Sequence, residues 1–147
     1  MKTTIVVDSS VFISSFVTQD SRHKISTEFF ATIKKKQQQI IAPINVVFEI
    51  LHAYYRLTKN RQKTDNLYQM IIDWNLTKEL RIANIESSFL VYFTAYHHLF
   101  NLKTADSIVA LTAHRFKYPL VSWDKQFLKN TKKHIKTFSP DEFLRSL

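Results

Sequence analysis

Residues 4–17 read TIVVDSSVFISSFV, and this stretch decides the fold. Its first four residues are all β-branched, which is typical of a buried strand that ends at Asp8. Ser9 and Ser10 offer hydroxyls that can cap a helix, and the apolar residues 11–17 predict a short helix after them. A strand that leads directly into a helix is the repeating unit of an α/β protein.

Strands alternate with helices along the rest of the chain as well. Further strands are predicted at residues 39–43, 80–85, 119–123 and 135–138. Further helices are predicted at residues 21–39, 44–58, 61–75, 86–101, 103–116, 124–129 and 140–147. This order favours a three-layer α/β/α sandwich with a mostly parallel central sheet. No repeat, linker or low-complexity boundary interrupts it, so we expect residues 1–147 to form a single domain.

The composition excludes several classes of protein. Hydrophobic residues make up 45% of the chain and charged residues 22%, which is typical of a globular protein and not of a disordered one. No apolar run approaches the roughly 20 residues that span a bilayer, and the first residues lack a signal-peptide pattern, so we expect a cytoplasmic protein. Because cysteine is absent, any metal must bind carboxylate oxygens or imidazole nitrogens.

Glycine is absent too, although it normally supplies the positive φ angles at turns and helix ends. We expect the asparagines at four candidate turns to take over this role; they are Asn60, Asn75, Asn101 and Asn130. The absence of glycine also excludes the glycine-rich phosphate loops of nucleotide-binding proteins.

The charge balance predicts an anionic partner. There are 21 Lys and Arg residues against 12 Asp and Glu, which gives a net charge of +9 and a pI near 9.8. Nucleic acid is the first candidate for such a surface. A basic run such as residues 34–39, KKKQQQ, can also be no more than a solvated helix end.

Three acids lie where the elements of such a sheet meet. Asp8 and Asp124 each follow a predicted strand, and Asp106 lies in the first turn of a helix, after Thr104 as its expected N-cap. The carboxyl ends of parallel strands and the N-termini of the following helices share one edge of the sheet, which is where α/β proteins bind their ligands. Each Asp could instead only cap its helix.

Glu49 interrupts the apolar sequence VVFEIL in the middle of a predicted helix. It shares a helical stripe with Asn45, His52 and Arg56, and this stripe either faces solvent or forms the polar wall of a cleft. In a cleft, His52 and Arg56 could contact the scissile phosphate of a substrate. On a free surface they would be an ordinary exposed pair.

Carboxylates that converge repel one another, so such a cluster needs a cation or a proton to neutralise it. Mg²⁺ and Mn²⁺ prefer oxygen ligands and fit this set, whereas the six histidines show no HExxH spacing that would indicate zinc. Two such ions about 3.5–4 Å apart can activate water and stabilise the leaving oxygen of a phosphodiester. Acids within a basic surface therefore favour phosphodiester hydrolysis.

Four segments carry a family resemblance. They are IVVDSSVFI at residues 5–13, NVVFEIL at 45–51, TADSIVALTA at 104–113 and LVSWDKQF at 120–127. In this order they resemble the acidic motifs of the PIN-domain family over nearly the whole chain. The resemblance implies a PIN-like parallel α/β sandwich and a Mg²⁺- or Mn²⁺-dependent endoribonuclease, frequently the VapC-type toxin of a toxin–antitoxin pair.

The resemblance also implies a role for each acid. Asp8, Glu49, Asp106 and Asp124 would form a four-carboxylate site that activates water to hydrolyse RNA phosphodiester bonds. We expect Asp8 and Asp106 to be the principal metal ligands, with Glu49 and Asp124 binding a second ion or positioning the water. The glycine that the family often has before its last strand is replaced here by residues around Lys117, which leaves the geometry of that turn open.

Ser10 and Ser122 match the small hydroxyl residues of the family motifs and would hydrogen-bond to metal-bound water. Alternatively, Ser10 is a helix cap and Ser122 an ordinary strand residue. The family resemblance further implies RNA as substrate, a homodimer and a small antitoxin protein that binds in grooves between the early helices.

Two alternative functions remain open from the sequence. A phosphoryl-transfer enzyme with Asp8 as nucleophile is disfavoured because Ser10 stands where a second acid is needed. The other alternative is a catalytically silent PIN fold that binds RNA or protein. Retention of all four acids argues against it, since a pure binder gains nothing from negative charge where phosphate arrives.

Overall fold

The computed structural model describes residues 3–147, in which strands and helices alternate. The strands are β1 (Thr4–Val7), β2 (Gln39–Pro43), β3 (Leu80–Ala83), β4 (Leu120–Val121) and β5 (Thr137–Phe138). The helices are α1 (Ser9–Phe16), α2 (His23–Lys35), α3 (Ile44–Thr58), α4 (Arg61–Leu76), α5 (Ser87–Tyr96), α6 (Thr104–Phe116), α7 (Lys125–Thr131) and α8 (Pro140–Arg145). A short 3₁₀ helix, His97–Leu99, follows α5.

The sheet is parallel throughout, with the strand order β3-β2-β1-β4-β5. The chain first builds outward from β1 through β2 to β3, and then returns to the other side of β1 to add β4 and β5. The direction of winding therefore reverses between β1 and β4, where Val6 pairs with Leu120 and Val7 with Val121. Such a reversal opens a crevice at the carboxyl ends of the two strands.

The centre of the sheet is buried on both faces. Ile5, Val6 and Val7 of β1 and both residues of β4 have no exposed surface. A strand without a solvent face needs a layer of helices on each side of the sheet. The predicted three-layer α/β/α sandwich with a parallel sheet is thus confirmed.

The helix α6 brings Asp106 to the centre of the fold. Small residues, among them Ala110 and Ala113, are fully buried on this helix and let it lie against β1 and β2. On its outer side α6 packs on α5. The helices α1, α2, α3 and α4 pack on one another in a second group, which extends to α8. Within residues 3–147, none of the helices is long and apolar enough to cross a membrane.

Several predicted elements are shorter in the structure. The helix predicted at residues 21–39 begins later, because Asp20 accepts hydrogen bonds from the backbone and side chain of Arg22 and forms a turn there. It ends before Gln37, whose φ of 53° turns the chain into β2. The strand predicted at 119–123 keeps two residues, because the segment after it bonds to the β1–α1 junction instead.

The prediction that asparagines occupy the left-handed backbone positions is wrong. The positive φ angles within residues 3–147 are those of Gln37 (53°), Lys59 (51°), Lys78 (62°) and Lys117 (55°). All four lie just beyond the ends of helices, and three of them are lysines, whose charge interacts favourably with the helix dipole. This interaction offsets part of the roughly 1–2 kcal/mol that a left-handed backbone costs a residue with a Cβ. Asn60 instead caps α4, where its side chain accepts a bond from the Lys63 backbone.

Replacing Lys59 by glycine should raise the free energy of unfolding by about 0.5–1 kcal/mol, because glycine has no Cβ to oppose the left-handed backbone. Urea unfolding followed by circular dichroism measures this change. Lys63→Gly is the matched control, since Lys63 has helical backbone in α4 and glycine there should lower the free energy of unfolding by about 1 kcal/mol. A loss of stability in Lys59→Gly would contradict this account.

Candidate active site

Asp8 lies at the crevice between β1 and β4, directly after β1. It is the N-cap of α1 and its side chain is buried, with 6% of its surface exposed. Its Oδ2 atom accepts a hydrogen bond from the Ser10 hydroxyl at 2.7 Å and another from the Ser122 hydroxyl at 2.8 Å. The carboxylate is therefore held from two sides by neutral donors.

The two serine hydroxyls also accept hydrogen bonds. The backbone N–H of Trp123 donates to the Ser10 hydroxyl at 3.1 Å, and that of Asp124 donates to the Ser122 hydroxyl at 3.0 Å. Each serine thus joins Asp8 to the backbone that follows β4. Ser122 is fully buried, and its hydroxyl has partners on both sides.

Asp124 is the N-cap of α7 and is exposed. Its Oδ1 atom accepts bonds from the backbone N–H groups of Gln126 and Phe127, both at 2.9 Å. The capping interpretation therefore holds for Asp124 and for Asp8, in addition to any role in a site. In both residues the cap directs the carboxylate to the helix N-terminus, at the carboxyl edge of the sheet.

Asp106 lies in the first turn of α6 and is half-buried. The helix begins at Thr104, so that Lys103 and not the expected Thr104 occupies the N-cap position. The pKa of the Asp106 carboxyl is raised from its ordinary value of 3.8 to about 6. Burial is the largest cause, and the negative charges of three other acids add to it; these are Asp8, Glu49 and Asp124. The structure thus brings Asp106 within electrostatic reach of the three other predicted acids.

Glu49 faces this group of acids from α3. Burial raises the pKa of its carboxyl, the Ser9 hydroxyl lowers it, and the charge of Asp8 raises it again. Glu49 itself is therefore partly buried near Asp8 and does not simply face solvent. Farther along α3, both His52 and Arg56 are exposed.

Two residues near the acids were not predicted as part of the site. The Ser9 hydroxyl donates to Oδ1 of Asp8 at 3.5 Å. Asn45, one turn before Glu49, donates from Nδ2 to the Ala105 carbonyl at 3.3 Å and so ties α3 to the start of α6. Its Oδ1 atom is buried and has no hydrogen-bond partner in residues 3–147. The shared stripe with Glu49 was the sequence signal for Asn45.

The donors of this site suit a hard divalent cation. Carboxylates, serine hydroxyls and Oδ1 of Asn45 all offer oxygen, which Mg²⁺ and Mn²⁺ prefer. Within residues 3–147, however, no three His, Asp or Glu side chains already stand in an arrangement that could hold an ion. The carboxylates of Asp8 and Asp124 are already held by hydrogen bonds.

Comparison with models of protein families identifies the family of this chain. A family model of the PIN domain matches residues 5–133, which include all four acids. The chain belongs to the PIN domain family. No curated protein sequence matches this PIN domain.

Solved structures share the fold of this PIN domain at low sequence identity. A DNA-bound VapBC complex from Salmonella typhimurium matches with a TM-score of 0.67 at 10% identity, over 95% of this chain and 99% of the other. A toxin–antitoxin complex from Klebsiella pneumoniae matches with a TM-score of 0.66 at 14% identity, over 92% and 97%. The sarcin-ricin loop cleaving toxin VapC20 of Mycobacterium tuberculosis matches with a TM-score of 0.65 at 16% identity, over 85% and 93%. At these identities the comparison establishes the fold alone.

The pKa of Asp106 predicts how stability depends on pH when no divalent ion is added. Because the folded PIN domain holds this proton more tightly than the unfolded chain, the contribution of Asp106 to stability is largest below about pH 4 and is lost as pH rises to about 6. Asp106→Asn removes the repulsion, so in EDTA it should be more stable than the wild type at pH 7.5. A shift of this size corresponds to about 3 kcal/mol, which solvent screening reduces to about 1–2 kcal/mol.

Thermal unfolding in EDTA at pH 4 and at pH 7.5 measures the difference, which should vanish at pH 4. Asp73→Asn, on the exposed side of α4, is the control and should show no gain that depends on pH. An Asp106→Asn protein that is less stable than the wild type at pH 7.5 would refute the mutual repulsion of the acids.

Proposed function

We propose that this PIN domain is a metal-dependent endoribonuclease, and that it is the toxin of a toxin–antitoxin pair. Asp8, Glu49, Asp106 and Asp124 form its site, and water activated there hydrolyses an RNA phosphodiester bond. The observation that carries this function is the convergence of the acids at one edge of the sheet, where burial first and then the charges of Asp8, Glu49 and Asp124 raise the pKa of Asp106. Carboxylates that repel one another do not stabilise the fold, but they are well suited to bind a divalent cation.

Each residue of the site has a separate task in this proposal. Asp8 and Asp106 hold a Mg²⁺ or Mn²⁺ ion, and Glu49 and Asp124 bind a second ion or orient the water. The bound ion would supply an activated water nucleophile and stabilise the leaving oxygen. The hydroxyls of Ser10 and Ser122 keep the Asp8 carboxylate oriented, because both donate hydrogen bonds to its Oδ2 atom.

The charge around the site supports RNA as the substrate. Between Asp106 and Pro140 the chain has seven Lys and Arg residues and a single acid, Asp124. Lys125 and Lys129 lie on α7 itself and are exposed. Phosphates held by such a surface would be brought to the acids at its edge. An RNA substrate also favours a cytoplasmic location.

Two protein partners belong to this proposal. Several of the similar structures are toxin–antitoxin complexes, which supports a small antitoxin as a partner. A homodimer is supported by α5, where Leu90 and Val91 are 65% and 73% exposed and Phe89 is the buried residue of the helix. Apolar side chains this exposed are typical of a surface that meets another protein.

A catalytically silent PIN domain that binds RNA or protein is the second candidate. It is favoured by the hydrogen-bonded state of Asp8 and Asp124, which already serve as helix caps. Under this alternative the acids would have structural tasks only, and removing their charge would leave RNA binding unaffected or improved.

RNA cleavage in Mg²⁺ or Mn²⁺ distinguishes the two candidates. Asp8→Asn, Asp106→Asn and Asp124→Asn should each lower the cleavage rate at least about a hundredfold, and EDTA should abolish it. Because asparagine caps a helix as well as aspartate does, the variants at Asp8 and Asp124 keep the cap and lose only the charge. Gel analysis of a labelled single-stranded RNA pool measures the rate.

The matched control is Asp73→Asn, an exposed acid on α4, which should cleave at the wild-type rate. If wild-type protein binds the RNA pool and leaves it intact in both ions, the silent alternative is correct. Near-normal cleavage by Asp8→Asn or Asp106→Asn would remove that residue from the site.

The homodimer has its own test. Light scattering should give twice the mass of the chain, and Val91→Lys should shift it toward the monomer because a charge cannot be buried unpaired in an interface. Leu76→Lys is the control, since Leu76 is equally exposed, at 72%, but lies at the end of α4. A wild-type protein that remains monomeric at all concentrations would contradict the dimer.

A further inference from the structure

A second cleft lies at the end of the sheet opposite the four acids. It is lined by α5, by the C-terminal end of α6 and by the residues that lead into β4 and β5, and its volume is about 480 Å³. This is within the range of small-molecule sites, about 300–1,000 Å³. Along α6 the distance from Asp106 to Arg115 is about 13 Å, so the cleft is separate from the acids.

Three cations from different segments line this cleft. They are Arg115 at the end of α6, Lys117 before β4 and Lys136 before β5. No acidic residue is among those that line it. In residues 3–147, none of the three cations forms an ion pair with a carboxylate. A concave surface with cations from three segments and no acid attracts an anion.

Tyrosine rings form another part of the wall. Tyr92 and Tyr96 lie side by side on α5 with 4.5 Å between their centroids, and Tyr118 faces the same cleft. The Arg115 guanidinium lies 5.5 Å from the centre of the Tyr92 ring, within the range of a cation–π contact. Tyr96 is 40% exposed, so its ring is accessible. Such rings and guanidinium planes are surfaces on which nucleobases stack.

A hydrogen bond inside the wall supplies a neutral donor. The Tyr92 hydroxyl lies 2.6 Å from Nδ1 of His114. Burial lowers the pKa of His114, and His134 lowers it further, whereas burial raises the pKa of Tyr92. Both side chains are therefore uncharged at neutral pH. When the phenol donates to Nδ1, the imidazole proton is on Nε2, where it can be donated to a carbonyl or phosphate oxygen.

We propose that this cleft binds a nucleoside monophosphate unit, with its phosphate between Lys117 and Lys136 and its base stacked on Tyr96. A free nucleotide and a nucleotide within an RNA strand offer the same chemistry. Only the RNA source rests on the proposed ribonuclease activity, for which the cleft would anchor part of the strand away from the acids. An acidic peptide matches the charge but makes no use of the tyrosine faces.

Calorimetric titration in EDTA, where no cleavage occurs, tests the cleft with four probes. These are a mixture of adenosine and uridine 5′-monophosphates, inorganic phosphate, a short single-stranded RNA and a Glu-rich peptide. The nucleotides or the RNA should bind more tightly than phosphate or peptide. Lys117→Gln combined with Lys136→Gln should weaken this binding about tenfold or more, and for RNA should reduce the salt slope by about 1.4.

A second variant separates stacking from charge. Tyr96→Leu should weaken nucleotide or RNA binding severalfold and leave phosphate binding unchanged, since it removes the ring and no cation. Lys24→Gln combined with Lys35→Gln is the control, because both lysines are exposed on α2 and lie outside the cleft. Circular dichroism and melting temperatures check that every variant is folded.

Binding of the free nucleotides that is lost in the lysine pair supports a nucleotide site. Loss for RNA alone supports the strand as the source. The inference is overturned if the lysine pair binds all probes as the wild type does, if phosphate binds as tightly as the nucleotides, or if only the peptide binds. RNA cleavage that depends on Asp8 and is unchanged in the lysine pair, with no nucleotide binding, would refute the cleft and leave the ribonuclease intact.

Discussion

The fold and the site depend on one carboxylate oxygen. Oδ2 of Asp8 accepts hydrogen bonds from the hydroxyls of Ser10 and Ser122, which lie on different sides of the crevice between β1 and β4. The same hydroxyls accept hydrogen bonds from the backbone N–H groups of Trp123 and Asp124. The segment after β4 is therefore linked through the two serines to Asp8, which follows β1. At this place the direction of winding reverses and β4 has only two residues of ladder. The side-chain bonds therefore supply order that the short strand cannot.

The four acids fall into two physical classes. Asp8 and Asp124 are held in place, because each caps a helix N-terminus and accepts hydrogen bonds from N–H or O–H donors. Asp106 and Glu49 have raised pKa values, since burial and neighbouring negative charge oppose their ionised forms. Asp8 and Asp124 thus form a part of the site that hydrogen bonds hold in place. In the other part, burial and repulsion oppose the negative charges of Asp106 and Glu49. A cation bound between these two pairs of acids would relieve the repulsion, and the carboxylates of Asp8 and Asp124 would determine its position.

The sequence predicted the strands, the helices and the positions of the acids along the chain well. It predicted side-chain contacts and backbone angles less well. β-branched runs and helical periodicity located every strand and helix, and the positions of Asp8 and Asp124 after strands followed from the same patterns. Glu49 could not be assigned to a face, because a polar residue on an apolar helix looks the same whether it faces solvent or other acids. The role of Ser122 depends on contacts between residues more than a hundred positions apart. The left-handed positions were mispredicted because residue preference alone omits the helix dipole.

Those left-handed lysines also bear on how the two ends of α6 differ. A chain without glycine accepts backbone strain after its helices, and at Lys59 and Lys78 the lysine charge near a helix C-terminus offsets part of it. Lys117 has the same backbone strain, but its side chain also lines the cationic cleft. Asparagine adopts this conformation at lower cost and would relieve the strain, yet it would remove one of the three cations. A strained residue that supplies charge to a cleft is more readily explained by binding than by folding. Asp106 at the start of α6 thus belongs to one site, and Arg115 at its end lines the other. The two residues are about 13 Å apart along the helix.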